Sequence, residues 1–229
     1  MRKNTSQSSR LVSSSKCPLC FSHSKNPCPK IFFTDQKSGH NYYHCSQCDL
    51  RFLDPLKHLN STQELARYKI HQNDVTDVNY QNFVRPMLQL VIKKTHSTEV
   101  GLDYGCGEAP ALSHLLTQQG YKVSLYDPYF KPDHALLSQK YDFIIATEVA
   151  EHFYKPHEEF HRFKNLLSSQ GSLGIMTSLF TELTHFETWH YRRDPTHVCF
   201  YSEATFKWIA KYYDFKSFEC CDNRMIWLS

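Results

Sequence analysis

The stretch Val100-Gly-Leu-Asp-Tyr-Gly-Cys-Gly107 constrains this chain more than any other segment. It reads as a short apolar strand, Val100–Tyr104, entering a Gly-x-Gly turn that opens a helix from Pro110 to Gln119. Gly105 and Gly107 let a ligand approach the backbone with no Cβ in the way. The helix behind them presents unpaired N–H groups. Pro110 suits a first helical position, where a missing N–H is no loss, and Gly120 suits the stop. A strand, glycine turn and helix in this order predict a parallel α/β sheet with its ligand at the carboxyl ends of the strands.

The remaining C-terminal sequence keeps the alternation. Tyr121–Tyr126, Tyr141–Ala146 and Ser172–Thr177 read as strands, and Pro156–Leu167 and Glu203–Tyr213 as helices, the latter capped by Ser202. Phe215–Cys220 and Met225–Leu228, joined by an Asp-Asn turn, predict a closing antiparallel hairpin. From Pro55 to Ser97 the pattern is polar and helical, with an apolar face of Phe83, Met87, Leu88, Val91 and Ile92. The 229 residues suit one α/β unit over 99–229, a helical linker over 54–98 and a small module over 16–53. Residues 1–15, basic, Ser-rich and free of acids, predict an unstructured tail.

Asp127 follows Gly107 by 20 residues, at the end of the next strand. An acid there can accept both hydroxyls of an adenosine ribose. A dinucleotide-binding dehydrogenase shares these features, but Pro110 replaces its third glycine and the chain is short for a second substrate domain. Asp103, just before the turn, could meet an ammonium group.

Carried by HQNDV (His71–Val75), GLDYGCG (Gly101–Gly107), LYDP (Leu125–Pro128), TEVAEHF (Thr147–Phe153) and RRDPTHVCFYS (Arg192–Ser202), the chain from about Tyr68 onward resembles the class I methyltransferases. The resemblance implies a Rossmann-like, seven-stranded, mainly parallel sheet with an antiparallel C-terminal hairpin, and S-adenosylmethionine as methyl donor. It implies that Asp103, Gly105 and Gly107 flank the donor's methionine end, with Cys106 and Thr147 also at the donor site, and that Asp127 binds the ribose. The short stretch between Asp127 and Asp142 leaves little room for the third strand and its helix.

Thr147-Glu-Val-Ala-Glu-His152 follows the strand Tyr141–Ala146. In a helical turn Glu148, Glu151 and His152 stand at i, i+3 and i+4 and share one face. Two carboxylates and an imidazole there repel unless something positive holds them. A divalent ion with mixed O and N ligands is one such partner. The segment is similar to that of ubiquinone-pathway O-methyltransferases and small-RNA 2′-O-methyltransferases. That likeness implies a second divalent ion, Mg²⁺ or Mn²⁺, shared with a later histidine that aligns with His197; His185 and His190 are alternatives. A metal-free general base at His152 or His197 stays open, as does a Glu-His pair that only shapes the pocket. Arg192 and Arg193 are candidates to clamp an anionic acceptor group, or to pair with Asp194 at the surface.

Cys17-x-x-Cys20 and Cys45-x-x-Cys48 stand 24 residues apart. Two such knuckles can place four thiolates around Zn²⁺ with no open position, which makes the metal structural. Cys28, His40 and His44 are nearby candidates to replace a ligand. The module is too small for a core of its own, so we expect zinc to fold it, and its loss to spare the catalytic region. Its role as substrate lid, RNA grip or partner platform is open.

The placement of the nine cysteines, with no signal-like or membrane-spanning run, predicts a reduced cytoplasmic setting. A net charge of +3 gives no electrostatic case for nucleic acid. A metal or histidine that lowers a hydroxyl's pKa makes a small-molecule hydroxyl the expected acceptor, with carbon and nitrogen acceptors left open. An RNA-modifying methyltransferase and a non-catalytic adapter are the alternatives, and the oligomeric state is not legible.

Overall fold

The computed structural model describes residues 16–21, 29–70 and 74–229. The expected tail over 1–15, Cys28 and His71–Asn73 lie outside them.

The chain runs β1 (Lys30–Thr34), β2 (Asn41–His44), β3 (Arg51–Leu53), α1 (Ser61–Tyr68), α2 (Val78–Lys94), β4 (Val100–Tyr104) and α3 (Ala111–Gln118). It continues through β5 (Lys122–Tyr126), β6 (Tyr141–Thr147), α4 (Pro156–Leu166), β7 (Leu167–Met176), β8 (Cys199–Phe200), α5 (Glu203–Tyr212), β9 (Phe218–Cys221) and β10 (Met225–Leu228). The main sheet has the order β5-β4-β6-β7-β10-β9. Its first four strands are parallel and the β9–β10 hairpin is antiparallel. Asp222 and Asn223 turn the hairpin with φ of 54° and 50°, the left-handed pair that matches strand twist.

Alternation along the strands sorts the two layers. Phe143 and Ile145 of β6, with Met225 and Trp227 of β10, face α2 and α3. Ile144, Ala146, Ile226 and Leu228 face the side carrying Phe160 and Phe163 of α4 and Phe206 and Ile209 of α5. Period-two burial on both faces is what a helix-covered sheet requires.

Three expectations are corrected. The sheet has six strands, because the chain between Asp127 and Tyr141 makes only a 3₁₀ turn, His134–Ser138, where a seventh would stand. The 54–98 region is helical, but the apolar face of α2 is Val84, Met87, Leu88, Leu90 and Val91, with Phe83 and Ile92 exposed. The cysteine module does not stand apart. Its β1-β2-β3 sheet is completed by β8, with Phe52 opposite Cys199, and its buried Leu19, Tyr43, Leu50 and Phe52 share one core with α4 and α5.

Ion pairs stitch the same junction. Arg192 bonds Asp35 at 2.6 Å while its guanidinium lies against Phe33, Tyr42 and Phe186. Arg67 of α1 bonds Asp194 at 2.7 Å. The Arg192 bond holds the Asp35 carboxyl down to about 2. Burial works against Asp194, yet Arg67 and Thr196 hold it well below the usual carboxylate range. Both groups have lower affinity for protons folded than unfolded, so their stabilisation is present above the ordinary carboxylate pKa and fades as pH falls. Melting temperature should therefore drop between about pH 4 and pH 2, and Asp35→Asn should flatten part of that slope. An unchanged slope in the variant would count against the Arg192 bond.

Candidate functional site

The glycine turn leaves β4 with φ of 77° at Gly105 and 66° at Gly107, conformations that favour glycine. A Cβ on Gly105 would lie 2.6 Å from the Val149 methyls, so this turn and the one after β6 are in close contact. The Gly105 and Cys106 amides donate to the Tyr126 carbonyl at 2.8 and 3.1 Å. Asp127 Oδ2 accepts from Gly107 N at 3.0 Å, and Oδ1 accepts from Tyr129 N and Phe130 N. Its carboxylate is thus fixed beside the turn. Asp103 is buried beneath it and accepts from Ser113 Oγ at 2.6 Å; burial pushes its carboxyl up to about 7. Cys106 is buried, which pushes its thiol up.

The turn after β6 departs from the helical face expected. Glu148 takes φ 53° and donates its N–H to the Met176 carbonyl, and only Ala150–His152 form a single 3₁₀ turn. Glu148 is thereby directed to Arg224, 3.8 Å away. Glu151, fully buried, groups instead with His152 and His197: one carboxylate oxygen and one ring nitrogen from each histidine all lie within 4.8 Å of one another. His185 and His190 fall outside that group.

Backbone carbonyls set both rings. His152 Nδ1 faces Thr196 O at 3.1 Å, and His197 Nδ1 faces Tyr191 O at 2.6 Å. This directs His197 Nε2 away from that carbonyl, the arrangement of a second-shell partner orienting a ligating imidazole. Burial, then the nearby His152, lowers His197 to about 3, so its ring is neutral near pH 7. Burial raises Glu151 to about 7, opposed by Tyr191 and Thr177; Thr177 Oγ1 donates to Glu151 Oε2 at 2.9 Å. Burial, then the charge of Glu151, raises Glu148 to about 8.

Several neighbours were not found from sequence. Glu64 of α1 accepts from Tyr68 OH at 2.8 Å and Tyr129 OH at 2.6 Å, and the Tyr68 ring stands perpendicular to His152 at 5.4 Å. Thr177, Tyr191 and Arg224 likewise come from segments with no local motif. Arg192 and Arg193 are both engaged within the chain. Arg192 is engaged by Asp35 and the Phe186 carbonyl, and Arg193 donates to the Thr188 carbonyl. Asp194 pairs with Arg67 instead.

In the N-terminal module, the four cysteine sulfurs lie within 4.8 Å of one another, with Cys17–Cys48 and Cys20–Cys45 each at 3.5 Å. The two knuckles match. Phe21 and Asp49, one residue past each Cys-x-x-Cys, take φ of 51° and 60° and donate back to Cys17 O and Cys45 O. His44 is engaged by Asp49, and neither it nor His40 joins the sulfur group.

The model of the methyltransferase domain family matches residues 77–219. The chain belongs to this family. Among solved structures, this methyltransferase is similar to magnesium protoporphyrin IX methyltransferase from Synechocystis PCC 6803 with bound SAH, at 18% identity and TM-score 0.53. That match covers 74% of this chain and 94% of the other. Human N-acetylserotonin methyltransferase in complex with SAM matches at 13% identity and TM-score 0.50, over 71% of this chain and 55% of that longer one. At such identities the likeness establishes the shared Rossmann-like fold. No curated protein sequence matches the chain. No helix of this methyltransferase is long and apolar enough to cross a membrane among the described residues.

Proposed function

We propose that this enzyme transfers the methyl group of S-adenosylmethionine to a hydroxyl of a small-molecule acceptor. The observation that carries the reading is the contact between the glycine turn and the turn bearing Glu151 and His152, with which His197 groups. It sets a group of proton-accepting or metal-ligating atoms beside the place where the donor would lie.

When bound, S-adenosylmethionine supplies an already activated sulfonium methyl. The protein's part is orientation and a deprotonated nucleophile. Asp127, fixed by three backbone N–H groups, accepts from the ribose hydroxyls, and Gly105 and Gly107 leave the backbone open to the donor. Glu151, His152 and His197 face the acceptor. As neutral or anionic groups they hold a hydroxyl by its proton and remove that proton as the oxygen attacks. Their one oxygen and two nitrogens also fit a divalent ion such as Mg²⁺ or Mn²⁺, which would supply charge that lowers the hydroxyl's pKa. Tyr68, upright against His152 and tied to Glu64, walls the acceptor side.

The four sulfurs fit structural zinc. A Zn–S bond of about 2.3 Å makes a tetrahedron with edges of about 3.8 Å, near the 3.5 Å observed for two of them. Cys17, Cys20, Cys45 and Cys48 would hold it with no coordination position left open for a reaction. Thiols kept for a metal suit a reducing, cytoplasmic compartment.

Calorimetry should detect SAH binding to the purified chain. Asp127→Ala should weaken it by about 1.5–3 kcal/mol, the worth of a hydrogen bond to a charged group. Binding of NAD with no heat from SAH or S-adenosylmethionine would overturn the assignment of the donor.

A further inference from the structure

Glu64 of α1 is only 8% exposed, yet among the described residues it forms no ion pair with a Lys, Arg or His. Its partners are two phenols: Tyr68 OH donates to Oε1 at 2.8 Å and Tyr129 OH to Oε2 at 2.6 Å. Burial, then Glu64 itself, pushes up the phenols of Tyr68, Tyr129 and Tyr154, the last to about 12. All three are therefore neutral near pH 7 and offset none of the carboxylate's charge. Arg67, three residues further along α1, is engaged by Asp194. Burial lowers His58, so its ring is neutral there as well. A buried carboxylate is ordinarily paired with a cation, and the described residues supply none.

What surrounds this carboxylate is aromatic. The Tyr68 and Tyr129 rings stand 5.6 Å apart at 60° to each other. Tyr154 joins them, its OH donating to Leu59 O at 2.9 Å just ahead of α1 and its ring 4.3 Å from His58. The three tyrosines are half-buried, which leaves them within a ligand's reach. Aromatic faces carry partial negative charge, and beside a carboxylate they favour a weakly hydrated organic cation. A hard metal ion would require several more oxygen ligands than one carboxylate supplies, and each oxygen of Glu64 already takes a phenol proton.

We infer that Glu64, Tyr68, Tyr129 and Tyr154 form a box for an organic ammonium group carried by the methyl acceptor. This rests on the proposed function, in which the acceptor lies against His152. The position agrees. The Tyr68 ring stands perpendicular to His152 at 5.4 Å, and Tyr129 N donates to Asp127 Oδ1 at 2.8 Å. The box thus reaches from the group that handles the hydroxyl to the loop that fixes Asp127. An amino alcohol meets both demands, with its hydroxyl at Glu151, His152 and His197 and its ammonium at Glu64. Glu64 and the tyrosines select the acceptor and take no part in removing its proton.

The test titrates the SAH-loaded full chain with choline, with ethanolamine and with 3,3-dimethylbutan-1-ol, the uncharged carbon analogue of choline. At least one of the two ammonium compounds should bind about tenfold or more tightly than the neutral alcohol. Glu64→Gln, which keeps the size of the side chain, should remove that preference and leave SAH affinity within about twofold of wild type. Should this variant not fold, the comparison of charged and neutral alcohols on the wild type decides alone. No binding of either ammonium, equal binding of the neutral alcohol, or a preference that survives Glu64→Gln overturns the box. An ammonium that displaces SAH, or a loss in Glu64→Gln confined to S-adenosylmethionine, would show Glu64 reading the donor's sulfonium and overturns the inference equally. Failure of the wild type to bind SAH refutes the donor assignment instead, and the same titration of the unloaded chain then decides the box.

Discussion

Cys45→Ser is expected to disable the whole enzyme, not the cysteine module alone. Tetrathiolate zinc contributes on the order of 10–16 kcal/mol to folding in small zinc peptides, as much as the entire stability of an ordinary domain, about 5–15 kcal/mol. What transmits the loss is a short run of backbone bonds. Leu53 N donates to Val198 O at 2.9 Å, and Val198 N donates to Glu151 O at 2.8 Å. Val198 follows His197 directly, so the last residue of β3 holds both sides of the candidate site in register. The first knuckle is tied as well: His157 at the start of α4 donates its N–H to Pro18 O and sets Nδ1 against Leu19 O. Ser202, which caps α5, bonds Asp49 of the second knuckle. Thermal unfolding of the wild type should show one transition, and Cys45→Ser should lower it by at least roughly 10 °C or prevent folding. The same point is read on the wild type, with no variant to recover, by stripping zinc with a strong chelator. Amide exchange at Leu53 and Val198 should then accelerate together. Two separable melting transitions, or an unchanged Val198 amide after zinc release, would show that the module is autonomous.

The contrast between what the sequence revealed and what it hid follows the range of the contacts. The glycine turn, Asp127 and the paired Cys-x-x-Cys knuckles depend on spacing within a few residues or one strand–helix unit, and each is where its pattern put it. A helical period across 148–152 puts Glu148, Glu151 and His152 on one face, whereas φ 53° at Glu148 takes its backbone out of that series while the charge of Glu151 still bears on its carboxyl. The third strand is missing because the segment between Asp127 and Tyr141 is too short to cross the sheet and return. Arg192 looked available beside Asp194, yet its partner Asp35 lies 157 positions earlier in the chain. Glu64, Tyr68, Tyr129 and Arg224 have the same character. Each is an ordinary polar residue locally, and only the packing of α1 and of the β9–β10 hairpin over the strand ends gives it a role.

Glu151→Ala should reduce methyl transfer by about 10²–10⁴, the range of a lost acid–base group, while SAH affinity stays nearly unchanged. Glu151 is fully buried and groups with the two histidines, whereas the ribose acid Asp127 is held at the glycine turn, so removal of Glu151 should leave the donor in place. The sharper question is whether the three residues hold an ion, and that can be read with no acceptor in hand. Mn²⁺ titrated into zinc-loaded protein should give one tight site by electron paramagnetic resonance, lost in both Glu151→Ala and His197→Ala. Mild chelation should then stop turnover and added Mg²⁺ or Mn²⁺ restore it, while the enclosed tetrathiolate zinc stays put. If the site works without metal, no Mn²⁺ binds and chelation changes nothing. In that case a pH profile with its midpoint near 6.5 would not report His197, whose buried ring takes up a proton only near pH 3. His197 is neutral through the working range in either case, which is the state required of a ligand or a proton acceptor. Normal turnover by Glu151→Ala, His152→Ala and His197→Ala on the true acceptor, together with no Mn²⁺ site in the wild type, would reduce the three to lining of the pocket.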